Sequence, residues 1–216
     1  MKKYFCKKLF ILTFFSFVLS VSFISCASTG VPIPGKEKAE LRKISNEYLA
    51  IADLYYGMEK YDKAIEYYKL ALDNKDNYWN VYYKLAKTYS IQSKWNDALP
   101  MYENLLKRDK DNNSLKVSIA YIYAMSGDTD KSIKIYNELI ENNPENDEYM
   151  QNLIAVYIAK KDYELSSEKF EIFKQTFPDN KNIEKIQQEL DKLQKELYPE
   201  EDKSEEEKSE ANKRKY

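Results

Sequence analysis

The sequence predicts an all-α fold, an α-solenoid of four 34-residue helix–turn–helix repeats followed by a C-terminal capping helix. Three observations carry this. First, segments beginning at Ser45, Trp79, Asn113 and Asp147 follow one another without insertion, so the repeats span 45–78, 79–112, 113–146 and 147–180. Second, superposing them aligns residue types in columns: Tyr55, Tyr89, Tyr123 and Tyr157; Tyr68, Tyr102, Tyr136 and Phe170; Ile51, Leu85, Ile119 and Leu153; and the small residues Ala64, Ala98, Ser132 and Ser166. With 20 Tyr in 216 residues, four in one column is roughly a one-in-ten-thousand coincidence per register, and a fixed period of this length marks a stacked array. Third, only 4 Gly and 6 Pro occur, which disfavours a turn-rich β fold.

Residues 1–25 read as an export signal. Lys2, Lys3, Lys7 and Lys8 form a positive start, and Leu9 to Ile24 is an apolar run of 16 residues. That is short for a membrane span of about 20 residues and suits a signal segment. Phe23-Ile24-Ser25-Cys26 then resembles a bacterial lipobox of the looser spirochaete kind, with small Ser25 before the Cys. It departs from the common Leu-Ala-Gly-Cys pattern at Phe23 and Ile24. The resemblance implies cleavage before Cys26, a covalent lipid on its thiol and stable membrane anchoring; the alternative is an uncleaved signal anchor. Cys6 would leave with the signal, so the mature chain would hold no disulfide. Residues 26–44 hold the lipidated Cys, a Pro- and Gly-containing tether and the start of the first helix, since Leu41, Ile44, Tyr48, Ile51 and Tyr55 recur at helical spacing.

Each repeat reads as two antiparallel helices, A and B. In the first, Tyr48, Ile51 and Tyr55 mark helix A up to about Gly57, a turn follows at Glu59 to Tyr61, and Ala64, Ile65, Tyr68 and Ala71 mark helix B. Asp62, Asn96, Asp130 and Glu164 recur where B helices start, suited to free N–H groups and to the positive helix end. Pro144 and Pro178 fall just past the third and fourth B helices. Pro100 fits helix B only within its first turn.

These columns resemble the tetratricopeptide repeat family. The second repeat carries the matching Tyr82, Leu85, Ala86, Tyr89, Trp95, Ala98 and Tyr102, and the third carries Ile119, Ala120, Tyr123, Gly127, Tyr136 and Pro144. Ile154 departs by replacing a small residue in the fourth helix A, and Leu105, Leu139 and Phe173 stand where Ala71 does in the first repeat; wider local helix spacing is expected there. The resemblance implies a right-handed solenoid whose A helices line an inner wall that holds an extended or helical peptide. The expected wall residues are Asn46, Asp53 and Tyr56, then Asn80, Tyr83 and Lys87, then Val117 and Tyr121, then Gln151 and Ile158. A carboxylate clamp of the chaperone-tail kind is not expected, because Leu49, Asp53 and Lys84 occupy its positions.

Residues 181–198 continue the helical spacing through Ile183, Ile186, Leu190, Leu193 and Leu197, as a capping helix requires; a free helix for docking is the alternative. Residues 199–216 are charged without apolar period and read as a disordered tail.

The chain has no His and both Cys lie in its first 26 residues, so no His-based triad or imidazole metal site is available. Its formal charge of -2 falls to -6 once the four Lys of the signal are removed, which argues against nucleic acid as a partner. We therefore expect no enzyme and no cofactor beyond the lipid on Cys26. The expected role is a membrane-anchored adaptor in bacterial cell-envelope assembly, holding a segment of another envelope protein; the alternatives are an accessory component of solute uptake and a self-assembling structural lipoprotein. Ala27 and Ser28 after the Cys carry no acidic retention signal of the enterobacterial kind, and either membrane fits.

Overall fold

The computed structural model describes residues 35–199. The signal segment, the Cys26 lipid site, the tether to residue 34 and the tail from residue 200 lie outside the described residues. By its internal contacts the chain divides into Met1–Lys43 and Ile44–Tyr216, and the repeats belong to the second unit. Of the first, Gly35 to Lys43 is described, and there the Ala39 N–H donates to the Gly35 carbonyl at 2.9 Å as a helix opens.

Nine α-helices and no strand occur among the described residues. They are α1 (Lys36–Gly57), α2 (Tyr61–Ala71), α3 (Tyr78–Ile91), α4 (Trp95–Arg108), α5 (Asn113–Ser126), α6 (Thr129–Asn142), α7 (Asp147–Ala159), α8 (Tyr163–Thr176) and α9 (Ile183–Leu197). Odd-numbered α1 to α7 are the A helices and even-numbered α2 to α8 the B helices. From α2 onward each helix packs on the next in sequence, and α9 touches both α8 and α7. The described residues thus form an all-α solenoid of paired helices ending in a packed helix.

The sequence columns become layers of the core. Ala64, Ala98, Ser132 and Ser166 are fully buried, as are Ala52, Ala86 and Ala120 on the A helices. Small residues on both sides let paired helices approach closely, and the gaps between pairs are filled by Leu85, Ile119 and Leu153 with Tyr68, Tyr102, Tyr136 and Phe170. The apolar core runs as three clusters in chain order: one from Ala52 to Ile122, one from Ala120 to Tyr157, and one joining Ile154, Phe170 and Phe173 to Ile186 and Leu190 of α9. Ile154, the departure from the small-residue rule, is seated in this last cluster. Ile186, Leu190 and Leu193 of α9 are buried, each contributing about 1.5–3 kcal/mol that a free array end would forgo. An acidic side chain at Leu190 would place a charge in that layer and detach the cap.

One turn recurs between A and B helices at the repeat period. Glu59, Ser93, Gly127 and Lys161 all have φ between 55° and 95°. In each turn the next N–H reaches back to the Tyr column, from Lys60 to Tyr55, Lys94 to Tyr89, Asp128 to Tyr123 and Asp162 to Tyr157, at 2.9 to 3.0 Å. This is a Schellman closure of helix A. It satisfies carbonyls at the helix end, yet only Gly127 is free of the side-chain penalty for left-handed backbone.

Two local expectations are corrected. Asp62, Asn96, Asp130 and Glu164 do not cap the B helices; each is the second helical residue, behind Lys60, Lys94, Asp128 and Asp162. Only Asp162 caps with its side chain, accepting from the Leu165 N–H at 3.1 Å. Asp62 and Asp130 point instead toward the following repeat, where Lys94 Nζ reaches Asp62 at 3.1 Å and Lys160 Nζ reaches Asp130 at 2.9 Å. Hydrogen bonds from Gln92 and Lys94 hold the Asp62 carboxyl below its ordinary range. Pro100 is the sixth residue of α4, beyond the first turn, and the helix continues through it to Arg108. Asn96, whose carbonyl loses its acceptor role there, is exposed together with Pro100, so water can take the orphaned oxygen.

Asn side chains cap A helices at the repeat period. Asn112 accepts from the Leu115 N–H and Asn146 from the Glu148 N–H, both at 3.1 Å, while Asn180 turns the chain into α9 by accepting from the Asn182 N–H at 2.8 Å.

Candidate functional site

The A-helix face carries two recesses built from the same sequence columns. The first, about 250 Å³, lies between α1 and α3. Asp53 and Tyr56 face it from α1, Asn80, Tyr83, Lys84 and Lys87 from α3, and Tyr68 of α2 forms the floor. The second, about 340 Å³, is centred on α5, where Val117, Ser118 and Tyr121 sit one repeat beyond Tyr83, Lys84 and Lys87. Ser90 of α3 and Glu148 and Asn152 of α7 form its flanks, and Tyr102 and Tyr136 from two B helices form its floor.

The floor phenols are the chief feature that sequence reasoning missed. The column Tyr68, Tyr102 and Tyr136 was expected as core, and its rings are buried, but all three side chains reach the A-helix face. The signal was a buried column holding Tyr rather than Phe, since a buried hydroxyl needs a destination. Their environments differ. Tyr68 Oη donates to Asp53 Oδ1 at 2.6 Å. Lys84 Nζ donates to both oxygens of the same carboxylate, at 2.8 and 2.7 Å, which ties α1, α2 and α3 together at one point. Burial, then the bond to Asp53, raises the Tyr68 phenol well above its ordinary value. Tyr102 is pushed up to about 12, chiefly by burial, with Ser90 and Ser118 hydrogen bonding in the opposing direction. Tyr136 is 2% exposed, and its phenol is raised by burial and then by the charge of Glu148. All three phenols are therefore neutral at physiological pH.

Two expected aromatics stand out of the wall on fixed supports. Tyr83 is 37% exposed and Tyr121 47% exposed. Tyr83 packs edge-on to Tyr102 at 6.0 Å and Tyr121 edge-on to Trp95 at 6.1 Å. Such contacts fix a ring while leaving its far face open. Lys87 Nζ lies 5.7 Å from the Tyr56 ring centre, a cation–π arrangement at the rim of the first recess.

Of the expected wall residues, the structure gathers Asp53, Tyr56, Asn80, Tyr83 and Lys87 in the first recess and Val117 and Tyr121 in the second. The other three lie elsewhere. Asn46 accepts from the Asn74 and Asn77 amides at 3.0 and 2.9 Å, joining α1 to the turn before α3. Gln151 accepts from the Asn182 amide at 2.6 Å, where α9 begins. Ile158 packs on the cluster of Ile154, Phe170 and Phe173. Missed altogether were Tyr68, Tyr102, Tyr136, Ser118 and Asn152; Lys84 was noted only as unsuited to a carboxylate clamp, and it binds Asp53. No three acidic or thiol side chains cluster in metal-holding geometry among the described residues, and no described helix is long and apolar enough to cross a membrane.

Known proteins agree with this architecture. Models of the tetratricopeptide repeat match residues 48–78 and 91–163, so such repeats are present in the chain. The chain is similar to a tetratricopeptide repeat protein from Parabacteroides merdae ATCC 43184, with 20% identity and a TM-score of 0.57 over 69% of this chain and 60% of that one. It is also similar to MamA (41-end) from Desulfovibrio magneticus RS-1, with 15% identity and a TM-score of 0.55 over 63% of this chain and 77% of that one. A further MamA crystal structure matches with 19% identity and a TM-score of 0.52, over 74% of this chain and 97% of that one. Likeness at such identities concerns the fold. No curated protein matches the chain by sequence.

Proposed function

We propose that this protein is a membrane-anchored, non-enzymatic adaptor of the bacterial cell envelope that holds a segment of another envelope protein along its A-helix face. The carrying observation is the pair of recesses flanked by Tyr83 and Tyr121, two exposed rings fixed from behind by Tyr102 and Trp95. Rigid aromatic anchors give large contact area at low entropy cost, and such residues dominate interface energies. Polar groups placed between them, Asn80 and Lys87 in one recess and Ser118 and Asn152 in the other, suit the main chain of a bound segment. Tetratricopeptide repeats generally serve protein interaction, and the lipobox-like sequence ending at Cys26 supports tethering through a covalent lipid.

The test is in-cell photo-crosslinking from positions 83 and 121 of the lipidated chain, with adducts identified by mass spectrometry. One dominant envelope protein at both positions is the expected result. A stable, anchored protein with no specific adduct at either position refutes the groove. In parallel, Cys26→Ser should abolish incorporation of a labelled fatty acid and release the protein from membranes; retention on membranes would refute the lipid tether.

A further inference from the structure

The second recess is charged differently from the first, and its floor is unfinished. In the first, Lys84 and Asp53 neutralise each other and Lys87 adds a cation. The second is lined by Glu148 and by no Lys or Arg, and Glu148 has no ion pair among the described residues. On its floor Tyr136 is 2% exposed. Among the described residues its hydroxyl has no hydrogen-bond partner, whereas Tyr68, one end of the same column, is held by Asp53. The ring is buried, while the hydroxyl opens into the recess and is left to bond whatever enters it.

From this geometry we infer that the second recess is a pocket for one basic side chain of the partner segment, Arg in preference to Lys. The inference rests on the adaptor reading above and names the chemistry of what the groove holds. The half-exposed ring of Tyr121 offers a face to a cation. The carboxylate of Glu148 lines the same recess as Tyr136 and supplies the countercharge there. Neutral oxygens of Tyr136, Ser118 and Asn152 can accept the several N–H groups of a guanidinium, more than an ammonium offers. Glu148 opens α7, where its main-chain N–H is taken by Asn146, so the side chain is set by a capped helix end rather than a loop. The first recess would repel the same side chain through Lys87, so the charge difference also fixes which way the segment runs. It places an acidic or neutral residue by α1 and α3 and the basic one by α5 and α7.

The test uses the full chain in non-ionic detergent micelles and a library of capped synthetic peptides, each with one fixed Arg, Lys, Asp or Ala. Arg-containing peptides should be retained best, Lys next, and binding should weaken as salt is raised. Glu148→Gln should weaken the Arg peptides about tenfold and leave Ala peptides unchanged. Tyr136→Phe, which keeps the ring as Phe170 does in the next repeat, should weaken them about fivefold. Glu148 is exposed, so its variant tests the pocket even where Tyr136→Phe affects folding. Equal binding of Asp and Arg peptides, or Arg binding unmoved by Glu148→Gln while Tyr83→Ala with Tyr121→Ala abolishes it, overturns the basic pocket and leaves the groove standing. No binding by any peptide overturns both.

Discussion

Ser132 offers a sharp test of the packing argument. It sits in the column of small residues that lets A and B helices touch, 0% exposed, and its Oγ has no hydrogen-bond partner. The equivalent positions in the first two repeats, Ala64 and Ala98, show that the layer accepts a methyl group there. Ser132→Ala therefore removes a desolvated hydroxyl worth about 1–3 kcal/mol of penalty. It also adds a few tenths of a kcal/mol of helix propensity within α6. The expected gain is about 1–2 kcal/mol, or a Tm rise of about 2–8 °C for a domain of this size. Ser166, the next residue in the column, is the internal control: it is equally buried, but its Oγ donates to the Tyr163 carbonyl at 3.0 Å. Ser166→Ala should be neutral or destabilising by about 1 kcal/mol. Thermal and urea unfolding of both variants give the comparison. Loss of stability in Ser132→Ala, or an equal gain in both, would refute the claim that the unpartnered hydroxyl is a burden.

Other expectations concern the turns, the helix interior and the phenols. Replacing Glu59, Ser93 or Lys161 by Gly should each stabilise the array by about 0.5–1 kcal/mol, since relief of left-handed strain exceeds the added freedom of the unfolded chain; urea midpoints that fall in all three would contradict the turn geometry. Pro100→Ala should restore the hydrogen bond to Asn96 and raise stability by about 1–3 kcal/mol, and an unchanged midpoint would mean that the bond was not missing. The raised Tyr68, Tyr102 and Tyr136 phenols keep their protons longer in the folded than in the unfolded chain. Their contribution is thus fully present below the ordinary phenol range near 10 and is lost as pH climbs, with Tyr102 passing its own value at about 12. Ultraviolet titration should accordingly show a delayed phenolate fraction that appears together with loss of helical signal; complete titration near pH 10 of a still-helical protein would refute it.

The repeat register and helix pairing were legible because packing demands recur at fixed spacing, and the columns of Ala64, Tyr55 and Tyr68 report those demands directly. Helix ends were less legible for a physical reason. The left-handed turn residue is Gly only at Gly127, and elsewhere Glu59, Ser93 and Lys161 hide it, because the two backbone hydrogen bonds of the closure outweigh strain of about a kcal/mol. Asp62 and Asp130 misled in the same way: acidic residues near a helix start suit both a cap and the second helical position, and only the cross-repeat contacts with Lys94 and Lys160 separate the two. The wall residues Tyr83 and Tyr121 followed from helical phase, whereas Asn46 and Gln151 share that phase but are taken by neighbouring turns.

The floor phenols resisted sequence reading because one side chain serves two layers. The ring of Tyr136 fills the space between repeats, and the hydroxyl at its tip emerges on the opposite side of the A helices. In the fourth repeat the column becomes Phe170, fully buried in the cluster that α9 closes, with no oxygen to present. The polar floor therefore runs for three repeats and stops where the apolar cap begins. Since each repeat contacts only its neighbours, the substitution from Tyr to Phe marks a boundary between the repeats with a polar floor and the part that seals the end of the array. Placing a hydroxyl at Phe170 would extend no groove; it would bury an unpartnered oxygen against Phe173 and Ile186 and loosen the cap.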